Sequence, residues 1–470
     1  MTRPRPILAR RVLIPAVAAI FLGLAPASAT TIGTGGAAMP PVPGVSFTTD
    51  NVEHVGYLPE VGPTVSARVV RVGDQTRFYV SSIARGLSIY DITDPAAPTL
   101  IGALPLGGWQ NEDMAVSEDG DVAVLAYGDE NNYEFNVVVD TSDPTLPAFA
   151  SLTEGGDHTA ECATPDCSYL YGSEGNIYDL RDITAPETIG NWITDARNQG
   201  VNISGFPHKL VRDSAGYLIS DSSPRVMFDI ADPANPVVVS RHRNPPGSAS
   251  IRYQHNNLRP RADEWVPREE DDDDPELRPG ELLLANGESN IVPECDGAGG
   301  PFMTWRMTNF DRYGETDGAE GQFELLETFR PLENGNYEDG NPAVNALGCS
   351  GHWFDWTTDP NDEGTYTVAA AWFEHGVRFL DVDAATGEIE ETGFFQPVNG
   401  SAGATYWIDD EYVYVTDYVR GIDILRFDHG EEEPEQEELD ANWIAGLDLP
   451  RLDATERERF VCRVSRTRVA

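Results

Sequence analysis

An all-β fold, a seven-bladed β-propeller whose N-terminal strand closes the last blade, follows from three features of this 470-residue chain. The first is a phrase written four times. Gly86–Pro98 reads GLSIYDITDPAAP, Asn136–Pro147 NVVVDTSDPTLP, Gly175–Pro186 GNIYDLRDITAP and Arg225–Pro236 RVMFDIADPANP. Each is an apolar run closed by an Asp, with a second Asp three residues on and a Pro four beyond that. Weaker echoes start at Gly376 (GVRFLDVDAATG) and Gly421 (GIDILRFD). A β-type repeat of about 40–50 residues cannot bury both of its faces alone, so copies must stack into a ring. The second feature is that strand-like segments flank each phrase in a constant order. The third is a lone strand-like segment ahead of the first repeat, matched by a missing one in the last.

Taken in order, the first residues stand outside the fold. Arg3, Arg5, Arg10 and Arg11 precede an apolar run from Val12 to Leu24, and Ala27-Ser28-Ala29 supplies small residues for cleavage. This predicts a secretory signal peptide over 1–29, cut near Ala29. The Arg10-Arg11 pair leaves general and twin-arginine export both open. A linker over 30–50 leads into the propeller at 51–429.

Each blade has four strands, A at the channel to D at the rim, and the phrase is strand C. Its closing Asp can bond the turn backbone, and Asp-Pro opens the turn to D. Strand B is expected at Thr76–Ser81, Val122–Ala126, Ser168–Tyr171, Tyr217–Ser220, Glu281–Ala285, Tyr366–Ala370 and Tyr412–Val415. The fifth blade takes Phe302–Thr308 as strand C and carries an insertion at about 262–280. Strand D is expected at Thr99–Ala103, Ala148–Leu152, Glu187–Trp192, Val237–Arg241, Phe323–Phe329 and Ile389–Phe395. The seventh blade lacks one, and Val52–Leu58 (VEHVGYL) is placed to supply it. That closure removes the ring's exposed edges. Residues 430–470 read as an acidic linker and short tail, with Leu452–Val461 a short helix.

The formal net charge is −46, and loss of the leader's arginines deepens it to about −50. Lys209 is the only lysine. Nucleic acid and anionic membrane are excluded as general partners, since both need a basic surface. No later stretch is long and apolar enough to span a bilayer. The acidic runs Glu269–Asp274 and Glu431–Glu438 lack the glycine and alternating ligands of a calcium loop and read as solvated segments. Five cysteines in an exported chain suggest disulfides. Cys162 and Cys167 bracket a hairpin, Cys295 and Cys349 form a plausible second pair, and Cys462 is left over.

The repeated strand-Asp-x-x-Asp-x-x-x-Pro phrase, with NVVVD and GLSIYD at its centre, resembles the LVIVD repeat family of exported β-propellers. The resemblance spans roughly Asn51–Phe427. It implies the architecture and export, and says little of activity. A more distant likeness in architecture is to the selenium-binding/methanethiol oxidase propellers, which use histidines for copper, although their sequence motifs are absent.

In a propeller the start of strand A and the B–C turns open on one face. At that start blades three to six read GGD-His158-TAEC, GFP-His208-KLV, RYQ-His255-NNL and CSG-His352-WFD. The second blade offers Glu112 and Asp113 there, and the seventh Thr405 and Tyr406. The B–C turns supply Arg85, Glu174, Glu288, Glu374 with His375, and Arg420. Three or four converging imidazoles suit one copper, zinc or iron ion. The glutamates or His375 would then orient ligands or act as a base, and the arginines would clamp an anionic substrate. Against this, a single His at a strand start is more often satisfied by a backbone carbonyl, and salt bridges between blades explain the arginines and glutamates equally well. His54, His242 and His429 read as surface residues. Two function classes follow. One is a secreted recognition scaffold, taking a protein, glycan or small molecule on its channel-mouth face and carrying a histidine-lined metal site. The other is a metal-dependent oxidase or hydrolase built on the same histidines.

Overall fold

Seven antiparallel sheets follow one another along the chain. The computed structural model describes residues 46–429, apart from 59–60, 107–108, 129–133, 204–206, 242–253, 270–271, 273, 289–299, 309–321, 332–348, 358–359, 362–363 and 398–399. The expected leader, most of the 30–50 linker, the 430–470 tail, His242, Cys295 and Cys462 lie outside the described residues.

In order A to D, blade 1 is Thr64–Val72, Gln75–Ser82, Gly86–Asp91 and Thr99–Leu104. Blade 2 is Trp109–Val116, Val122–Gly128, Glu134–Asp140 and Ala148–Leu152. Blade 3 is Ala160–Cys162, Tyr169–Gly172, Asn176–Asp179 and Glu187–Asn191. Blade 4 is Leu210–Arg212, Tyr217–Ser220, Val226–Asp229 and Val237–Arg241. Blade 5 is Gln254–Leu258, Leu282–Gly287, Phe302–Thr308 and Gln322–Phe329. Blade 6 is Phe354–Trp356, Thr365–Ala371, Val377–Asp383 and Ile389–Pro397. Blade 7 is Ala402–Trp407, Tyr412–Asp417, Gly421–Phe427 and, from the chain's start, Val52–Leu58. The seven-bladed fold and its N-terminal closure are therefore as the sequence predicts.

The repeated phrase acts through its turns. The first Asp accepts from the backbone N–H two residues on: Thr93 to Asp91 at 3.0 Å, Ser142 to Asp140 at 3.1 Å, Arg181 to Asp179 at 3.0 Å, Ala231 to Asp229 at 2.8 Å. The second does the same at Asp94, Asp143, Asp182 and Asp232. Both are side-chain-capped turns, which is why Asp and not Glu recurs. Every C–D pair in the seven blades also carries one register shift. Such bulges increase local twist, and the stacking of twisted sheets around an axis needs it.

Strand C is apolar at consecutive positions because each sheet is covered on both faces. Val137 and Val139 pack with Leu87 and Ile89 of blade 1, while Val138 packs with Leu170 and Tyr178 of blade 3. One apolar cluster lies between each adjacent pair of blades. The seventh, with Phe78 and Tyr90 against Tyr414 and Ile424, joins blade 7 to blade 1 and closes the ring. A buried side chain of this size contributes about 1.5–3 kcal/mol, so the interfaces hold the ring rather than any single blade.

Two local features were not expected. Ser46–Thr48 adds a fifth strand to blade 6, pairing Phe47 with Gln396, before the chain crosses to blade 7. Strand D of blade 3, expected to reach Trp192, stops at Asn191, whose side chain caps a short helix at Trp192–Asn198 by accepting from the Thr194 N–H at 2.9 Å. Gly421 is required where Val52–Leu58 passes: its φ is +108°, and a Cβ there would collide with the Leu58 carbonyl. Cys162 and Cys167 form the expected hairpin disulfide. Cys349 is also disulfide-bonded, and its expected partner Cys295 is outside the described residues.

Candidate metal centre

The A strands line the channel, and their first residues meet near its axis. His158, His208 and His352 each stand two residues before a strand, and hydrogen bonds extend the A–B ladder to them. The His208 N–H donates to the Asp221 carbonyl and the His352 N–H to the Ala371 carbonyl, both at 2.9 Å, while the His158 N–H donates to Ser173 Oγ at 3.1 Å. His255 is the second residue of its strand and falls in a register shift between Gln254 and Asn256. In blade 2 the ladder passes from Gln110–Tyr127 straight to Met114–Leu125, leaving Asn111, Glu112 and Asp113 opposite Ala126 alone. The backbone bulges there, and Glu112 enters the channel.

Four imidazoles converge on that one carboxylate. Glu112 Oε2 is 3.2 Å from His208 Nε2, 3.3 Å from His255 Nε2, 3.3 Å from His352 Nε2 and 3.6 Å from His158 Nε2. Glu288 Oε2 is 3.8 Å from His255 Nε2. None of the four histidines is more than 8% exposed, and Glu112 is 7% exposed. Adjacent rings follow the order of the blades, with centroids 4.8, 3.9 and 4.2 Å apart from His158 to His352. Trp353 packs beneath, its ring 4.5 Å from His255. His352 Nδ1 bonds to the Gly403 carbonyl, the kind of contact that orients a ligand ring. These side chains form groups able to hold a metal ion.

The electrostatics are set by burial and by Glu112. Burial opposes ionisation of Glu112, yet His352 and the bonds to His158, His208 and His255 hold it well below the usual carboxylate range. Burial pushes His208 down to about 4, and burial with the neighbouring His208 and His352 pushes His255 well below its ordinary value. Burial also resists the charged forms of His158 and His352, but Glu112 outweighs it and raises both.

Glu112 was recognised in the sequence as the blade 2 residue at this position but not as a partner of the histidines. Its signal was positional: it occupies in blade 2 the place that histidine occupies in blades 3 to 6. The B–C turn residues divide. Glu288 reaches the cluster, and Glu174 lies close enough to act electrostatically on His158. Glu374 is buried and accepts from Ser401 Oγ at 3.4 Å. His375 is buried beside it, and burial followed by Arg378 pushes it down to about 3. Arg85 is exposed. Arg420 is closed on Asp423 by two bonds of 2.8 Å, so its fork faces a carboxylate of its own blade. His54 is not a bare surface residue, since its Nε2 lies 2.9 Å from Asp423 Oδ1. His429 is exposed and bonds the Asp410 carbonyl at 2.7 Å.

The channel widens on the far side of the cluster, towards the A–B turns. A cavity of about 310 Å³ runs from Glu112 past Trp353 and Asp355 to the exposed Arg71, Asp409 and Asp410. Within its wall a charged network takes one side chain from each of four successive blades. Lys209 Nζ bonds Asp113 Oδ2 and lies 3.2 Å from Glu161 Oε2. Arg68 Nη2 is 3.3 Å from Asp113 and 3.1 Å from Glu161. The sequence placed the working face at the strand A starts; the described cavity approaches the histidines from the opposite end.

No family model matches the chain, and no curated protein matches it. Solved structures do. The β-propeller domain of Cps50 (Swd1) from Myceliophteria thermophila is 11% identical, with a TM-score of 0.47 over 78% of this chain and 98% of that one. A putative 6-phosphogluconolactonase from Bacteroides uniformis is 10% identical, with a TM-score of 0.48 over 77% and 95%. YCF48 bound to D1 peptide is 10% identical, with a TM-score of 0.44 over 84% and 99%. These are likenesses of fold.

Proposed function

We propose that this protein is an exported metal-binding propeller of LVIVD-type repeats, holding a transition metal in its channel on His158, His208, His255 and His352 with Glu112. The observation that carries the proposal is the convergence of four buried Nε2 atoms within 3.6 Å of Glu112 Oε2. Four imidazole nitrogens and a carboxylate oxygen gathered this closely form the donor set that a cation takes. Imidazole with carboxylate suits zinc, copper or iron. Export is supported by the signal-like leader and by the Cys162–Cys167 disulfide. No helix among the described residues is long and apolar enough to cross a membrane.

A second reading, a metal-dependent hydrolase or oxidase, is favoured by the cavity that reaches Glu112. It gives a small molecule a route to the ion, and a buried carboxylate beside a metal is placed to act as a base. In the absence of that chemistry the propeller is a scaffold whose cavity binds a small ligand.

The test is elemental analysis of protein purified through its export route, beside a His208→Ala/His255→Ala variant. Zinc, copper or iron at one equivalent or more, lost in the variant, is the expected result. Protein that holds no metal and takes none up on titration would overturn the proposal.

A further inference from the structure

The donors around Glu112 fall into two sets. Glu112, His158 and His208 present ligand atoms that all lie within 4.8 Å of one another, and so do Glu112, His255, Glu288 and His352. Glu112 is common to both sets. The division follows the chain: blades 3 and 4 supply one pair of imidazoles and blades 5 and 6 the other. Glu288, from the B–C turn of blade 5, adds a carboxylate to the second set, 3.8 Å from His255.

We propose that the centre binds two divalent ions bridged by Glu112, one on His158 and His208, the other on His255, His352 and Glu288. This rests on the metal-binding proposal above and deepens it. Two charges about 3.5–4 Å apart, the usual spacing of paired catalytic metals, need an anion between them. Glu112, common to both sets of donors, stands where that anion is needed. The first ion has fewer protein ligands, so it keeps positions open for water or substrate. A pair of ions facing a cavity suits a ligand with two oxygens to share, a phosphoryl or carboxylate anion. That attraction arises only after the metals are in place, because the cavity wall itself is rich in Asp and Glu.

The experiment is to strip the full chain with a chelator and titrate it with zinc, reading stoichiometry by calorimetry and by elemental analysis after desalting. Manganese is then added in parallel and its electron paramagnetic resonance recorded. Two equivalents of zinc per chain and a spin-coupled manganese signal are expected. Glu288→Gln, nearly isosteric and at a half-buried position, is expected to weaken one of the two equivalents at least tenfold while leaving the other. Glu112→Gln is expected to weaken both and to abolish the coupled signal. One equivalent in the wild type, lost on changing any one of the four histidines, would overturn the two-ion centre and leave the single-metal proposal standing. No zinc at all would overturn both. Circular dichroism of the Glu288→Gln and Glu112→Gln variants separates loss of metal from loss of fold.

Discussion

Glu112 of blade 2 and His352 of blade 6 meet across the channel, Oε2 to Nε2, at 3.3 Å. Neither belongs to a regular part of its sheet: Glu112 sits in a bulge, and His352 precedes its strand. The contact joins two blades that are not neighbours in the ring, so an ion held there would touch both, and this is the source of the first prediction.

Metal binding should release protons, and from particular histidines. Glu112 raises His158 and His352 above the ordinary imidazole value, which favours their protonated forms. A metal ligand must be neutral, so the ion has to displace those protons. His208, pushed down to about 4, and His255, pushed well below its ordinary value, are neutral already and contribute none. The sign follows: affinity is weak below about pH 6.5 and rises as pH climbs through the raised values of His158 and His352. Titration calorimetry in buffers of different ionisation enthalpy should count between one and two protons released per chain near pH 6.5. A count of zero would mean that Glu112 does not control the histidines.

How much of this was legible beforehand differs by residue. The turns were legible because Asp91, Asp140, Asp179 and Asp229 all do the same local work, bonding a backbone N–H two residues away. Short-range chemistry repeats in sequence whenever it repeats in space. The four histidines were legible for a related reason, since equivalent places in successive blades are neighbours around the axis. Glu112 escaped as a partner because a bulge, which the sequence does not announce, determines where it points. Ser46–Thr48 escaped because three residues carry too little periodicity to mark a strand. The channel network of Arg68, Asp113, Glu161 and Lys209 escaped because its members come from four different blades, and only the ring brings them together.

That network yields the second prediction. Lys209, the chain's only lysine, is 2% exposed and lies between Asp113 and Glu161, with its ammonium 5.5 Å from the Trp353 ring. An amine-acylating reagent should spare it in the folded protein and modify it after denaturation, read by peptide mass spectrometry. Removing one partner of a buried pair costs about 3–5 kcal/mol. Lys209→Met should fall at the lower end, about 3 kcal/mol in denaturant unfolding, because Arg68 still faces both carboxylates. Acylation of Lys209 in the native protein as fast as an exposed amine would show that the channel wall is open.

The third prediction concerns closure. Val52–Leu58 pairs along its length with Gly421–Phe427, and Val52 is 4% exposed in the apolar cluster between blades 6 and 7. His54 also reaches Asp423 from this strand. Removing residues 1–58 strips blade 7 of its outer strand and bares the edge of Gly421–Phe427, an edge that invites pairing with another chain. Of the described strands, removing residues 1–50 takes Ser46–Thr48, at the rim of blade 6, and leaves the four of blade 7 whole. The two truncations should therefore behave differently. The shorter one should stay monomeric on size-exclusion chromatography, with a Tm within a few degrees of the intact protein. The longer one should lose several kcal/mol, associate, and exchange the amides of Gly421–Phe427 at least a hundredfold faster, since ring closure is what keeps those bonds from opening locally. Equal exchange rates in the two truncations would mean that the apolar interfaces alone hold blade 7, and that Val52–Leu58 is an ornament on the ring rather than its clasp.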